Sequence, residues 1–131
     1  MKRLVLIFAV MLLVCSGVFA QNKPIKIQIN YVDYEVLPYD LDGTYDWYEA
    51  KNACYRLTAF GNSDWFLPDK TELDGLYYRK EEIGKFRGDR YWSSSEWTSD
   101  HAWWQRFSDG YQGYYDGNKG YSLRVRCVRK Y

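Results

Sequence analysis

Cys54 and Cys127 stand seventy-three residues apart, and they are the two cysteines left once a leader is removed. The leader is read from residues 1–20. Lys2 and Arg3 give a basic start, Leu4 to Val14 form an unbroken apolar run, and Val18 and Ala20 suit a cleavage in front of Gln21. Eleven apolar residues are too few to span a bilayer, so the segment reads as a secretory signal peptide. The third cysteine, Cys15, lies inside that leader. A lipoprotein signal wants Gly, Ala or Ser before the cysteine, and Val14 stands there, so a cleaved and unanchored product is expected. The expected location is periplasmic, cell-surface or extracellular, with no membrane insertion after cleavage. An exported chain meets an oxidising compartment, where an even pair of cysteines predicts one disulfide. Two unpaired buried thiols are the alternative. A bridge of that span would stabilise by ~4 kcal/mol through lost loop entropy. It would also restrict the fold to topologies that bring residue 54 beside residue 127.

Cleavage leaves 111 residues, which suit a single domain over 21–131 with a modest core. These residues carry sixteen basic and seventeen acidic side chains, and that balance argues against nucleic acid as a partner. One histidine and two cysteines are too few for a structural zinc site, and no cofactor is expected.

Periodicity gives the elements. Ile25, Ile27 and Ile29 alternate with Lys26, Gln28 and Asn30, as in a strand. Residues 44–57 read as a helix with Thr44 as N-cap, and Trp47, Ala50, Cys54 and Leu57 share one face. Asp69 and Glu72 have the spacing of a capping box at the start of a second helix, with Leu73, Leu76 and Tyr77 as its buried stripe. Residues 79–90 are charged and read as a surface connection. Strand-like runs follow at 91–97 and 102–107, then the hairpin signal Asp109-Gly110, and a last strand around Leu123, Val125 and Cys127. The order predicts an α+β domain with both helices packed on one twisted antiparallel sheet.

Residues 91–115 hold nine aromatic side chains among Ser, Asp, Gly and Gln. Alternation along 102–107 puts Trp103, Gln105 and Phe107 on one face and Ala102, Trp104 and Arg106 on the other. Trp47, Trp65, Trp92, Trp103 and Phe107 are assigned to the core. The opposite set is expected to reach solvent.

Five pieces of the chain, taken in order, resemble a bacterial family. They are Trp47-x-x-Ala50 leading to Cys54-x-x-Leu57; Asp64-Trp65-x-Leu67-Pro68 with Glu72-Leu73 and Leu76; Tyr91-Trp92-Ser93-Ser94; Trp103 to Phe107 before Gly110; and Val125 to Arg129. Together they span about residues 30–129. The resemblance is to the Fibrobacter succinogenes major paralogous domain and the C-terminal domain of the Legionella collagen-like protein. It implies a C-type-lectin-like fold, in which the terminal strands come together and a disulfide ties the first helix to the last strand. The same fold carries sugar-binding lectins, variable binding proteins and formylglycine-generating enzymes, so it does not by itself fix a function.

The candidate binding residues are Trp97, His101, Trp104, Tyr111, Tyr114, Tyr115, Asp116 and Asn118. Sugars present apolar C–H faces that stack on exposed aromatic rings, while Asp, Asn and Ser bond their hydroxyls. The same mixture serves protein-binding loops. The expected partner is therefore a surface glycan or surface protein, bound in the manner of an adhesin, or another subunit in an assembly. The resemblance extends the glycan class to sulfated glycans, for which Lys119, Arg124 and Arg126 would form a basic outer face. Asp40-Leu41-Asp42-Gly43 with Asp46 has some of the look of a calcium loop, but it lacks the closing glutamate. It reads instead as a turn before a helix. The tripeptides Glu-Pro-Asn, Gln-Pro-Asp and Trp-Asn-Asp of calcium-dependent lectins do not occur. Two enzyme readings are weaker. A serine triad from Ser94, His101 and Asp100 would need adjacent turn residues to converge, and formylglycine-type oxidation would need reactive cysteines. A non-enzymatic module is expected.

Overall fold

The computed structural model describes residues 22–131; the leader, its cleavage site and Cys15 lie outside the described residues. The chain is α+β. Strands β1 (Ile25–Ile29) and β2 (Val32–Val36) lead to helices α1 (Trp47–Tyr55), α2 (Lys70–Tyr78) and α3 (Lys80–Ile83). Strands β3 (Arg90–Glu96), β4 (Ala102–Arg106), β5 (Gln112–Gly113) and β6 (Val128–Lys130) follow. The expected single sheet is in fact two antiparallel sheets of three strands, β1-β2-β6 and β3-β4-β5. Residues 123–128 are the seam between them. Leu123 bridges Tyr45, Arg124 bridges Tyr91 on β3, and Val128 bridges Phe66 before β6 pairs with β2. A strand that changes partners midway cannot keep one alternating face, and Val125, Arg126, Cys127 and Val128 are all buried.

Local chemistry explains most element ends. α1 begins later than the sequence suggests: Asp46, not Thr44, is its N-cap and accepts from the Glu49 N–H at 2.9 Å. The capping box at α2 forms as read, with Asp69 accepting from the Glu72 N–H and Glu72 accepting from the Asp69 N–H. Glu72 is buried and its other oxygen takes the Tyr34 hydroxyl proton in a hydrogen bond. The charged stretch 79–90 contains α3, which buries Ile83 in the core.

Two hydrophobic cores result. One gathers Leu37, Trp47, Cys54, Trp65, Trp92, Trp104 and Cys127. The other gathers Ile27, Ile29, Tyr34, Leu73, Leu76, Tyr91 and Phe107 under the first sheet and α2. Cys54 and Cys127 are joined as a disulfide, with Cα atoms 5.6 Å apart. The bond therefore ties α1 to the seam.

β4 lies between the two cores, and this overturns the assignment of its tryptophans. The sheet β3-β4-β5 is covered on both faces. Ala102 and Trp104 enter the first core, while Phe107 enters the second and Gln105 is buried beside α2, bonding Asp74 at 2.8 Å. Trp104 is only 2% exposed, so it is a core residue and not a binding residue. Trp103, expected in the core, is half-buried. It shares the side that α2 covers, yet sits at the helix start, where of α2 the Lys70 side chain reaches over it at 4.2 Å.

Candidate aromatic binding site

The hairpin β3–β4 and the loop after β5 build the site. A tight turn at 97–101 joins the two strands. The Trp97 and Thr98 N–H groups both donate to the His101 carbonyl, and Thr98 Oγ1 accepts from the His101 N–H at 3.1 Å. Asp100 accepts from Thr98 Oγ1 at 2.8 Å and lies 2.9 Å from His101 Nδ1. These two bonds, the histidine's first, hold the Asp100 carboxyl below its ordinary range. The turn thereby fixes the direction of Trp97.

Three rings meet on this surface. Trp97 and Tyr114 have centroids 4.4 Å apart, and Tyr114 and Trp103 have centroids 4.6 Å apart. His101 meets Trp97 edge-on at 6.0 Å. The Lys70 ammonium closes the far end over Trp103. Trp97 is 45% exposed and Tyr114 38%, so the strip keeps open faces although its rings support one another. Tilted aromatic contacts of this kind add about 0.5–1.5 kcal/mol beyond area burial, which keeps exposed rings ordered.

Of the residues named from sequence, Trp97, His101 and Tyr114 come together. Trp104 does not, being buried. Tyr111 packs over Trp104 at 5.7 Å, beside Arg106 instead of the strip. Tyr115 projects into solvent, 81% exposed. Asp116 faces Arg90 at 3.6 Å. Asn118 closes a turn by accepting from the Gly120 N–H at 2.8 Å. Trp103 and Lys70 belong to the site and were missed. A helix that begins over a strand leaves the residue beside its first turn only partly covered, but no local periodicity reveals where the helix will lie.

The basic outer face of Lys119, Arg124 and Arg126 does not form. Lys119 is 4% exposed and donates to Glu96 and the Ser99 carbonyl, both at 2.9 Å, with its ammonium 4.3 Å from the Trp47 ring. Arg126 is fully buried. Arg126 follows the seam inward, where consecutive residues are enclosed, while Lys119 is held in by Glu96, the Ser99 carbonyl and the Trp47 ring. In the stretch considered for calcium, Asp40 bonds Arg126 and Tyr91, and Asp46 caps α1. Among the described residues no cluster of three or more His, Cys, Asp or Glu side chains is placed to hold a metal. Ser93 Oγ donates to the Trp103 carbonyl and Ser95 Oγ accepts from the Lys70 N–H, so two of the three serines at 93–95 hold backbone. Ser94 makes no hydrogen bond to His101 among the described residues, and both remaining cysteines are in the disulfide. No helix among the described residues is long and apolar enough to cross a membrane.

Arg106 and Asp109 make a two-bond pair at 3.0 and 2.7 Å that fixes the β4–β5 turn. The guanidinium, then the Tyr111 N–H, hold the exposed Asp109 carboxyl down at about 2. Because the folded value is the lower one, this pair favours the fold above the ordinary carboxylate range near 3.8, and the contribution is lost as pH falls from there through about 2. Carboxyl NMR titration of Asp109 is expected to give a midpoint near that folded value, and Arg106→Ala to return it towards the ordinary range.

The fold and its surface define a small disulfide-closed α+β domain that displays a supported aromatic strip. The chain matches the Lcl C-terminal domain family over residues 22–129, and it belongs to that family. No curated protein matches it.

Proposed function

We propose that this chain is an exported, non-enzymatic binding module that recognises a surface glycan through the strip Trp97–Tyr114–Trp103. The observation that carries this reading is the run of three touching rings, each held from behind by a turn, a strand or a neighbouring ring. Pyranose C–H faces stack on such rings, and the polar atoms of Asp100, His101 and Lys70 border them within reach of sugar hydroxyls. The arrangement of the chain also supports placing it among C-type-lectin-like folds. β1 and β6 share a sheet, and the disulfide ties the first helix to the final segment.

A glycan array probed with residues 21–131, with and without chelator, tests the reading. Selective binding that survives chelation is expected. Trp97→Ala and Tyr114→Ala are each expected to weaken it at least tenfold, about 1.4 kcal/mol, with the fold retained and the melting temperature lowered by only a few degrees for the lost ring contacts. Unchanged binding by folded variants would remove the strip from the site. Silence across the array, with a stable oligomer by light scattering that shields Trp97, would favour assembly through the same face.

A further inference from the structure

A second site of different chemistry lies beside the loop that carries Tyr114. Arg90 on β3 is the direct cross-strand partner of Arg106 on β4. On the other side of Arg90 the seam brings in Arg124, whose N–H donates to the Arg90 carbonyl at 3.0 Å. Three arginines thus stand in a row across three neighbouring segments and line one cleft of ≈ 380 Å³ together with Asp89, Thr44 and Ser122. Like charges directly opposite one another destabilise a sheet. The row is therefore a cost to the fold unless a counter-charge answers it.

The internal carboxylates answer it unevenly. Asp109 engages Arg106 fully through its two bonds. Asp116 lies 3.6 Å from Arg90, and Asp89 lies 3.4 Å from Arg124. Both distances are long for a charge-assisted hydrogen bond, which sits near 2.7–2.9 Å. Arg124 also donates to the Gly43 carbonyl at 3.1 Å. The Arg90 guanidinium donates no hydrogen bond among the described residues and is stacked on the Trp104 ring at 4.2 Å, which orients its fork without using its donors. The Thr44 and Ser122 hydroxyls likewise make no hydrogen bond among the described residues.

We infer that this cleft binds a phosphate group, with Arg90 and Arg124 as its two forks and the Thr44 and Ser122 hydroxyls as further donors. Asp89, Asp109 and Asp116 balance the three guanidiniums in formal charge, but only Asp109 is closely bonded, so the forks of Arg90 and Arg124 keep donors that a tetrahedral oxyanion can take by displacing the two distant carboxylates. The planar forks suit the paired oxygens of a tetrahedral oxyanion, and several donors around one space favour such a group over a single carboxylate. The site stands independently of the aromatic strip.

Arginine Nε–Hε NMR of the chain, titrated with inorganic phosphate at constant ionic strength, tests it. Saturable shifts of Arg90 and Arg124 are expected. Arg90→Gln and Arg124→Gln are each expected to weaken binding at least tenfold. Arg90→Lys, which keeps a cation over Trp104 should the glutamine variant not fold, is expected to weaken it several-fold. Trp97→Ala is expected to leave phosphate binding unchanged, so the two sites fail separately. Glycerol 1-phosphate serves as a second titrant: equal binding means the cleft accepts an ester, and weaker binding means it holds free phosphate. Equal shifts with acetate or chloride, or parental affinity in both glutamine variants, would overturn the assignment.

Discussion

Replacing both Cys54 and Cys127 by Ala is expected to lower stability by about 4 kcal/mol, and the melting temperature by roughly 15–20 °C. The bond closes a loop of sequence separation 73, and that loop contains α2, α3 and the whole second sheet. Opening it lets the unfolded chain explore many more conformations, while the native contacts change little. The two side chains are fully buried in the first core, so alanine also leaves a small void that adds to the loss. Urea unfolding of the oxidised chain, the reduced chain and the double variant separates these contributions. The reduced chain keeps the sulfur volume and loses only the cross-link. It is expected to lie close to the double variant and to show a larger denaturant slope than the oxidised chain, because its unfolded state is more open. Coincident curves for oxidised and reduced protein would show that the cross-link does not stabilise the fold.

The sequence carries some of this architecture openly and hides the rest for definite reasons. The capping box at Asp69 and Glu72 is local chemistry, set by four consecutive residues, and it forms as read. The alternation of Ile25, Ile27 and Ile29 is equally local: Ile27 and Ile29 are buried and Lys26 and Gln28 exposed. The pairing of Cys54 with Cys127 follows from counting once the leader is set aside. The tryptophans of β4 are different. Alternation correctly separates Trp103 from Trp104, but both faces of β4 are covered, and how far each residue is covered depends on where α2 begins above the sheet. That is a tertiary fact: Phe107 is buried as read, whereas Trp103 is left half-open and Trp104 is enclosed. The seam fails for a related reason. Residues 124–128 change partners from β3 to β2, so the period-two rule that exposes Arg124 and Arg126 together does not apply to them. Trp97, His101 and Tyr114 come together because a turn and a loop present them, but the same composition also picked Tyr111, Tyr115, Asp116 and Asn118, which the loops point elsewhere.

Asp40→Ala is expected to cost about 3–5 kcal/mol, because it leaves a buried guanidinium without its counter-charge. Arg126 is enclosed completely, and its Nε donates to Asp40 Oδ1 at 2.8 Å across 86 residues of sequence. Its remaining donors reach the carbonyls of Leu37 at 3.1 Å, Gly84 at 3.2 Å and Lys85 at 2.8 Å, and its plane lies 4.0 Å from the Phe86 ring. The other Asp40 oxygen accepts from the Tyr91 hydroxyl at 2.6 Å. Burial pulls the guanidinium pKa down and Asp40 works against that, while burial and then Asp40 push the Tyr91 hydroxyl up. One carboxylate thus satisfies two buried groups from different segments, and one guanidinium fastens the loops at 37 and 84–85 to the seam. A double-mutant cycle with Arg126→Met measures the coupling. Removing the second charge after the first is expected to cost much less than removing it alone, since the methionine fills the space without needing a partner. It is not expected to restore the parental stability, because the buried Leu37 carbonyl is left without its donor, at about 1–3 kcal/mol, and the part-buried carbonyls of Gly84 and Lys85 must turn to water. Chemical denaturation of the two single variants and the double variant decides between the alternatives. Additive losses would mean that the ion pair is incidental to the carbonyl bonds, whereas strong coupling with an incomplete recovery would show that charge and backbone capping act together at this point of the fold.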